Sequence, residues 1–162
     1  MCFAERTENT HQGILHMAAE VPDPDCIFCK IIAGQVPSLS VLETKNAVAF
    51  MDIGPLAEAH LLVIPKHHYV RLDDMPEQEL RDLTALLPRL ARVVVKVTEA
   101  EGYNILQNNG QVAGQVVNHV HFHVIPRKEG DGLGYRWPAK NYEPGRAEEI
   151  HGQLLQAFKA SD

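Results

Sequence analysis

The chain carries the run Asn118-His119-Val120-His121-Phe122-His123-Val124-Ile125-Pro126. Three histidines alternate with apolar residues. In an extended strand, successive side chains point to opposite faces. His119, His121 and His123 would then line one face, roughly 7 Å from one to the next. Val120, Phe122 and Val124 would line the other and pack into a core. Three imidazoles in a row are a poor way to build mere stability. Imidazole titrates near neutrality, ligates metals and attacks as a nitrogen nucleophile.

Working outward, Tyr103 to Gln107 predicts a strand that runs into the turn Asn108-Asn109-Gly110. The loop Gln111 to Asn118 then leads to the histidines. Upstream, Leu80, Leu83, Leu87, Leu90, Val94 and Val97 recur at helical spacing. This predicts one long amphipathic helix that starts at Asp74-Met75-Pro76-Glu77, with Asp74 as cap and Pro76 in the first turn. Pro88 should kink or split it. Before it come Leu61 to Ile64, Ala47 to Ile53 and Val41 to Glu43, all strand-like. Cys26 to Gly34 reads as a short helix with Gly34 as its C-cap. A Gly-rich segment follows the histidines, and a weak helix from about Ala147 to Phe158 closes the chain. Strands joined by short connections, with one long and one short helix, predict an α+β fold with an antiparallel sheet.

Composition narrows the function classes. The 162 residues predict one domain over residues 25–162, preceded by a polar tail over residues 1–24. A net charge of −6 offers nothing to a nucleic-acid backbone or an anionic membrane. No apolar run approaches the ~20 residues of a bilayer span, and the N-terminal stretch lacks a signal-peptide core. Three cysteines are too few for a disulfide framework. A reducing compartment is expected, the cytoplasm with the nucleus included.

The histidine strand admits two chemistries. In one, His121 is a nucleophile toward phosphorus, with its second ring nitrogen held by a carbonyl, while the flanking histidines bind phosphoryl oxygens or protonate a leaving group. In the other, the histidines ligate a hydrolytic zinc with an open water position. Cys26-Ile27-Phe28-Cys29 adds a second metal candidate. A structural zinc needs two further ligands, and the expected set is Cys26, Cys29, His60 and one histidine of the triad. His67 and His68 read as solvent-facing. Asp52 reads as a turn cap or a grip on a ribose diol. Trp137-Pro138 reads as packing or a wall beside the substrate.

These residues carry a resemblance. His119-Val120-His121-Phe122-His123-Val124-Ile125 resembles the His-φ-His-φ-His-φ-φ signature of the histidine-triad (HIT) nucleotide-binding family. Cys26 to Ile32, Ala49-Phe50-Met51-Asp52-Ile53, Leu62 to Lys66, and Asn108-Asn109-Gly110 through Ala113-Gly114-Gln115 resemble its Hint branch in order and spacing. The resemblance covers roughly residues 25–138.

It implies a HIT-like sheet joined to a second copy's sheet in a homodimer. It implies a hydrolase that releases AMP from adenosine 5′-phosphoramidates and AMP-amine conjugates. His121 would form an AMP-histidine intermediate, His123 would contact the phosphate and leaving group, and His119 would support the site through its backbone. Phe28, Val36, Phe50 and Ile53 would line the purine pocket. Asp52 would bind ribose, and Asn108, Gly114 and Gln115 would surround the phosphate. The resemblance also implies a structural Zn2+ on Cys26, Cys29, His60 and His119, which leaves His121 free for chemistry. Val116 stands where Hint enzymes often carry a hydroxyl that helps an amine leave. The same residues also suit two rivals: a dinucleoside polyphosphate hydrolase of the same family, and a zinc-stabilised purine-nucleotide scaffold with little turnover.

Overall fold

The computed structural model describes residues 22–134 and 138–161. Five strands form one sheet: β1 (Ser40–Glu43), β2 (Ala47–Met51), β3 (Leu61–Pro65), β4 (Gly102–Gln107) and β5 (Phe122–Arg127), in spatial order β1-β2-β3-β5-β4. Every neighbouring pair is antiparallel. The expected α+β architecture is observed.

The period of two in these strands separates the core into two layers. Ala47, Ala49, Leu61, Val63, Phe122 and Val124 face one way. They are covered by Leu83 of α2 (Glu77–Thr84) and by Leu90, Ala91 and Val94 of α3 (Leu87–Thr98). Val48, Phe50, Leu62 and Ile64 face the other way, under Phe28 and Cys29 of α1 (Ile27–Ile32). The register pairs Leu62 with His123 and Val63 with Phe122. That pairing turns the histidine face toward α1 and the Phe122 face toward α2 and α3.

Two expectations change in detail, and the choice at Pro88 between a kink and a split is decided. The histidine strand begins only at Phe122, because the Val120 N–H donates to the Tyr69 carbonyl at 2.7 Å instead of entering a ladder. The alternation of side chains survives: Val120 joins the Leu83 layer, while His119 and His121 lie against the Phe28 ring. The single long helix is two. Pro88 lies in the first turn of α3, where it lacks no bond it could have made. The first of the two starts at Glu77, since the Asp74 carboxylate is taken by the Arg71 N–H in a preceding 3-10 turn.

The closing helix is α4 (Arg146–Ser161), in a compact unit separate from residues 1–131. No helix among the described residues is long and apolar enough to cross a membrane. The polar-tail reading of residues 1–24 falls almost wholly outside the described residues, and Trp137 does too.

Leu83 is 1 % exposed beneath the sheet, and Val97, on the outer face of α3, is 71 % exposed. Leu83→Ala should cost about 2–5 kcal/mol in denaturant unfolding, while Val97→Ala should stay within about 0.5 kcal/mol. Equal losses would contradict the assignment of the layer between sheet and helices as the core.

Candidate active site

β2 and β3 pair with Met51 opposite Leu61, so the residues just beyond that end, Asp52 and His60, become neighbours. The Asp52 N–H donates to the His60 carbonyl at 3.0 Å. Asp52 Oδ1 accepts the Gly54 N–H at 2.9 Å, and Oδ2 stands 3.5 Å from His60 Nδ1. The turn-cap reading of Asp52 is thus real at one carboxylate oxygen, and the other stays available toward the cavity described below.

Tautomers follow from the partners. The His121 Nδ1 lies 2.6 Å from the His119 carbonyl. A carbonyl only accepts, so Nδ1 carries the hydrogen and Nε2 keeps its lone pair. The Leu56 N–H points at His60 Nδ1 at 3.2 Å. A backbone N–H only donates, so His60 carries its hydrogen on Nε2. That Nε2 lies 2.9 Å from His123 Nδ1, which must accept. His123 therefore presents Nε2–H. One histidine is set as a nucleophile and its neighbour as a hydrogen-bond donor, with their rings 5.0 Å apart.

Burial pushes all three imidazoles toward the neutral form. His121 and His60 lie below the ordinary histidine value, mainly because burial removes them from water, with Asp52 pulling the other way. His123 is pushed down to about 4 by burial, then by His121 and His60.

These groups open into a cavity of about 430 Å³. Phe28, Val36, Phe50, Ile53 and Leu62 supply an apolar wall, and Asp52, His121, His123 and Gly114 supply the polar part. Gly114 has φ +89°, a backbone conformation open to glycine at little cost, and an added Cβ would meet the Asn108 amide at 3.5 Å. Not every expected residue reaches the cavity. The Gln115 side chain accepts the Gly110 N–H at 2.7 Å and donates to the carbonyls of Val70 and Val117, so it clamps loops instead of facing a ligand. Asn108 donates to the Gly114 carbonyl at 3.4 Å and acts on the cavity through that glycine. Asn109, not singled out from the sequence, accepts the Leu72 N–H.

The metal set requires a correction. Cys26, Cys29, His68 and His119 are all buried, with ligand atoms within 4.8 Å of one another. His60 is not among them. Cys26 and Cys29 meet the sheet at the Pro65 end of β3, where the His119 Nε2–H donates to the Pro65 carbonyl at 3.0 Å. His60 precedes the other end, and Leu61 to Pro65 alone spans roughly 13 Å. His68, expected at the surface, is 7 % exposed, with Nδ1 3.3 Å from Cys29 Sγ. The Tyr69 carbonyl takes the Val120 N–H, and this folds the segment after β3 inward. His60 itself was misassigned: it orients His123. The available signal was strand length, which separates His60 from His68.

The donor set fits zinc. Two thiols and two imidazoles suit a closed tetrahedral site. The Pro65 bond fixes the hydrogen on His119 Nε2 and leaves Nδ1 toward both sulfurs, at 3.5 and 3.7 Å. His119 is pushed down to about 4, mainly by burial, so it stays neutral, the form a metal ligand requires. Burial raises the Cys29 thiol to about 11, so metal binding must displace its proton. Asp52, His60 and His123 form a second group of ligand type, but His60 Nε2 is paired with His123 Nδ1 and His60 Nδ1 with the Leu56 N–H.

Comparison with known proteins gives a consistent result. The HIT domain family profile matches residues 33–130. The adenosine 5′-monophosphoramidase of Candida albicans is 45 % identical over 142 residues, which is 85 % of this chain and 93 % of that protein. The crystal structure of a histidine triad nucleotide-binding protein from Candida albicans superposes with a TM-score of 0.77 at 44 % identity, covering 85 % of this chain and 99 % of that one. A Zn-bound histidine triad family protein from Mycobacterium smegmatis superposes with a TM-score of 0.65 at 33 % identity, over 85 % of this chain and 98 % of that one.

Metal analysis of purified variants separates the two ligand sets. His68→Ala should lose zinc and lower Tm by about 5–10 °C, as a loss of 2–3 kcal/mol would. His60→Ala should keep the metal. Zinc lost from His60→Ala and kept in His68→Ala would reverse the assignment.

Proposed function

The chain belongs to the HIT domain family, and on that footing we propose that it hydrolyses adenosine 5′-monophosphoramidates and related AMP conjugates, with His121 as the nucleophile. One observation carries this reading: the bond from His121 Nδ1–H to the His119 carbonyl, which leaves a buried, neutral Nε2 at the cavity.

The purine rests against Phe28, Val36, Phe50 and Ile53, which form the apolar wall. The ribose hydroxyls reach the Asp52 oxygen that Gly54 leaves unused. The phosphate lies between His121 and the His123 Nε2–H, beside Gly114. The His121 Nε2 lone pair attacks phosphorus, and the bond to the leaving group breaks, the amine departing with that electron pair and a proton drawn from water. The resulting AMP-imidazolium keeps its Nδ1–H on the His119 carbonyl, where the developing positive charge meets a carbonyl oxygen. Water then attacks the same phosphorus, releasing AMP and restoring the neutral ring.

We assign Cys26, Cys29, His68 and His119 as ligands of a structural zinc, with all four positions filled by protein. Bound there, the ion would anchor α1 and the segment after β3 to the backbone that orients His121. A homodimer is proposed from the sheet itself. β4 ends the strand order, and Tyr103 and Ile105 on it are exposed, so a second copy could continue the sheet. A reducing, cytoplasmic setting suits the free thiols of Cys26 and Cys29. The net charge of −6 favours neither nucleic acid nor membrane as partner.

Turnover tests the nucleophile directly. His121→Ala should cut AMP release from adenosine phosphoramidate by several orders of magnitude while AMP still binds, because no neighbouring group replaces a covalent route. Retention of more than about a tenth of the wild-type rate would sink the assignment.

The ribose contact has its own signature. Asp52→Asn should weaken ribonucleotide binding by about 1–3 kcal/mol, the worth of a charge-assisted hydrogen bond, and deoxyribonucleotide binding by less. Equal losses for the two sugars would leave Asp52 as a turn cap alone.

A further inference from the structure

Cys26 and Cys29 open the first turn of α1. Cys26 is the residue before the helix and Cys29 is its third residue, and the Cys26 carbonyl accepts the Lys30 N–H at 3.1 Å. On a helical turn, positions three apart have Cα atoms about 5 Å from each other, inside the span a disulfide bridges. The two sulfurs lie within 4.8 Å, and both are free thiols. The pair can close on itself with little movement of the backbone.

One of the two can be reached. Cys26 lines a cavity of about 330 Å³, with Asp23, Asp25, Val117 and Asn118 among its walls. Cys29 lies behind it, 5 % exposed. A small polar oxidant has room in that cavity and meets Cys26 first.

The four ligand side chains come from three stretches of chain: α1 with the residue before it, the segment after β3, and the segment before β5. A metal on them ties those stretches together. A Cys26–Cys29 disulfide ties α1 only to itself. It also leaves the buried His119 Nδ1 lone pair facing two sulfurs with neither hydrogen nor metal to offer it.

Resting on the zinc assignment above, we propose that Cys26 and Cys29 are a peroxide-sensitive switch, whose oxidation to a disulfide releases the metal and loosens the apolar wall of the nucleotide cavity. In the metal-bound form both sulfurs are thiolates. The Cys26 Sγ electron pair attacks one oxygen of hydrogen peroxide, the O–O bond breaks, and hydroxide leaves. The Cys29 Sγ electron pair then attacks Cys26 Sγ, the S–O bond breaks, and a second hydroxide leaves. Two thiolates lose two electrons, the peroxide gains them, and a sulfur–sulfur bond stands in place of two bonds to metal. A dithiol reductant reverses the change.

The nucleotide cavity feels this through Phe28, which lies between the two cysteines in sequence. Its ring meets those of Phe50, His119 and His121 at 5.7, 5.8 and 5.4 Å. Ile27, Phe28 and Ile31 of the same helix line the cavity. α1 has six residues, too few to hold a helix without packing. Once its tie to the other two stretches is cut, the purine wall loosens with it.

The test uses the zinc-loaded full chain carrying Cys2→Ser, which leaves these two as its only cysteines. It is treated with a small excess of hydrogen peroxide. Released zinc is read with a chromogenic chelator, the link by peptide mass mapping, and AMP affinity by calorimetry. About one zinc per chain should leave as the Cys26–Cys29 disulfide appears. AMP should then bind roughly tenfold more weakly, the worth of part of one buried aromatic side chain, and dithiothreitol with added zinc should restore both. Zinc still bound and thiols still free after peroxide would overturn the inference and leave the zinc assignment standing. So would a disulfide with unchanged AMP affinity, or oxidation to sulfinic acid that dithiothreitol does not reverse. Well under one zinc per chain before any peroxide would overturn the zinc assignment, and the inference with it.

Discussion

His119 is held from three directions, and the rest of the site hangs on that. Its Nε2–H is bonded to the Pro65 carbonyl, its Nδ1 faces two cysteine sulfurs and its own carbonyl holds His121 Nδ1–H. It is fully buried. A buried imidazole with every polar atom engaged has little freedom to rotate, and its backbone is fixed with it. The proposed nucleophile is thereby oriented by a main-chain oxygen that is itself pinned by a side chain. Displacing His119 would cost the Cys29 layer its packing and His121 its tautomer at once.

The same economy governs the other end of β3. His60 accepts from one backbone N–H and donates to His123, so a single amide sets two ring tautomers in series. No charge is buried to do this. Burying ionised groups is costly, and both histidines lie below the ordinary imidazole value, in the neutral direction. Two histidine clusters thus flank one five-residue strand. One is built around sulfur at the Pro65 end, the other around hydrogen bonds at the Leu61 end. They answer to different physics: soft-ligand chemistry in one, donor and acceptor bookkeeping in the other.

Much of this was legible in the chain. The alternation from His119 to Val124 foretold which side chains share a face, because a period of two persists even where Val120 leaves the ladder for Tyr69. Pro88 foretold the break between α2 and α3. What residue type alone hid was which histidine joins the cysteines. His60 and His68 lie eight positions apart and look equivalent as residue types. Only the pairing of Met51 with Leu61, and the inward fold of the segment after Pro65, send them to opposite ends. Gln115 was hidden for a similar reason. A loop glutamine can face a ligand or close a loop, and the choice depends on the Gly110 and Val70 backbone groups brought to it from elsewhere in the chain.

Val116 stands apart from all of this. It lines the cavity, yet it is 90 % exposed and belongs to neither core layer. Substitutions at such a position usually change stability by no more than about 0.5 kcal/mol. His119 and His121 have no such latitude, since each is bonded inside the fold. Descendants of this chain can therefore explore new chemistry at the rim by single mutations while the machinery behind it stays frozen. Divergence of substrate taste without loss of foldability is built into where that one valine sits.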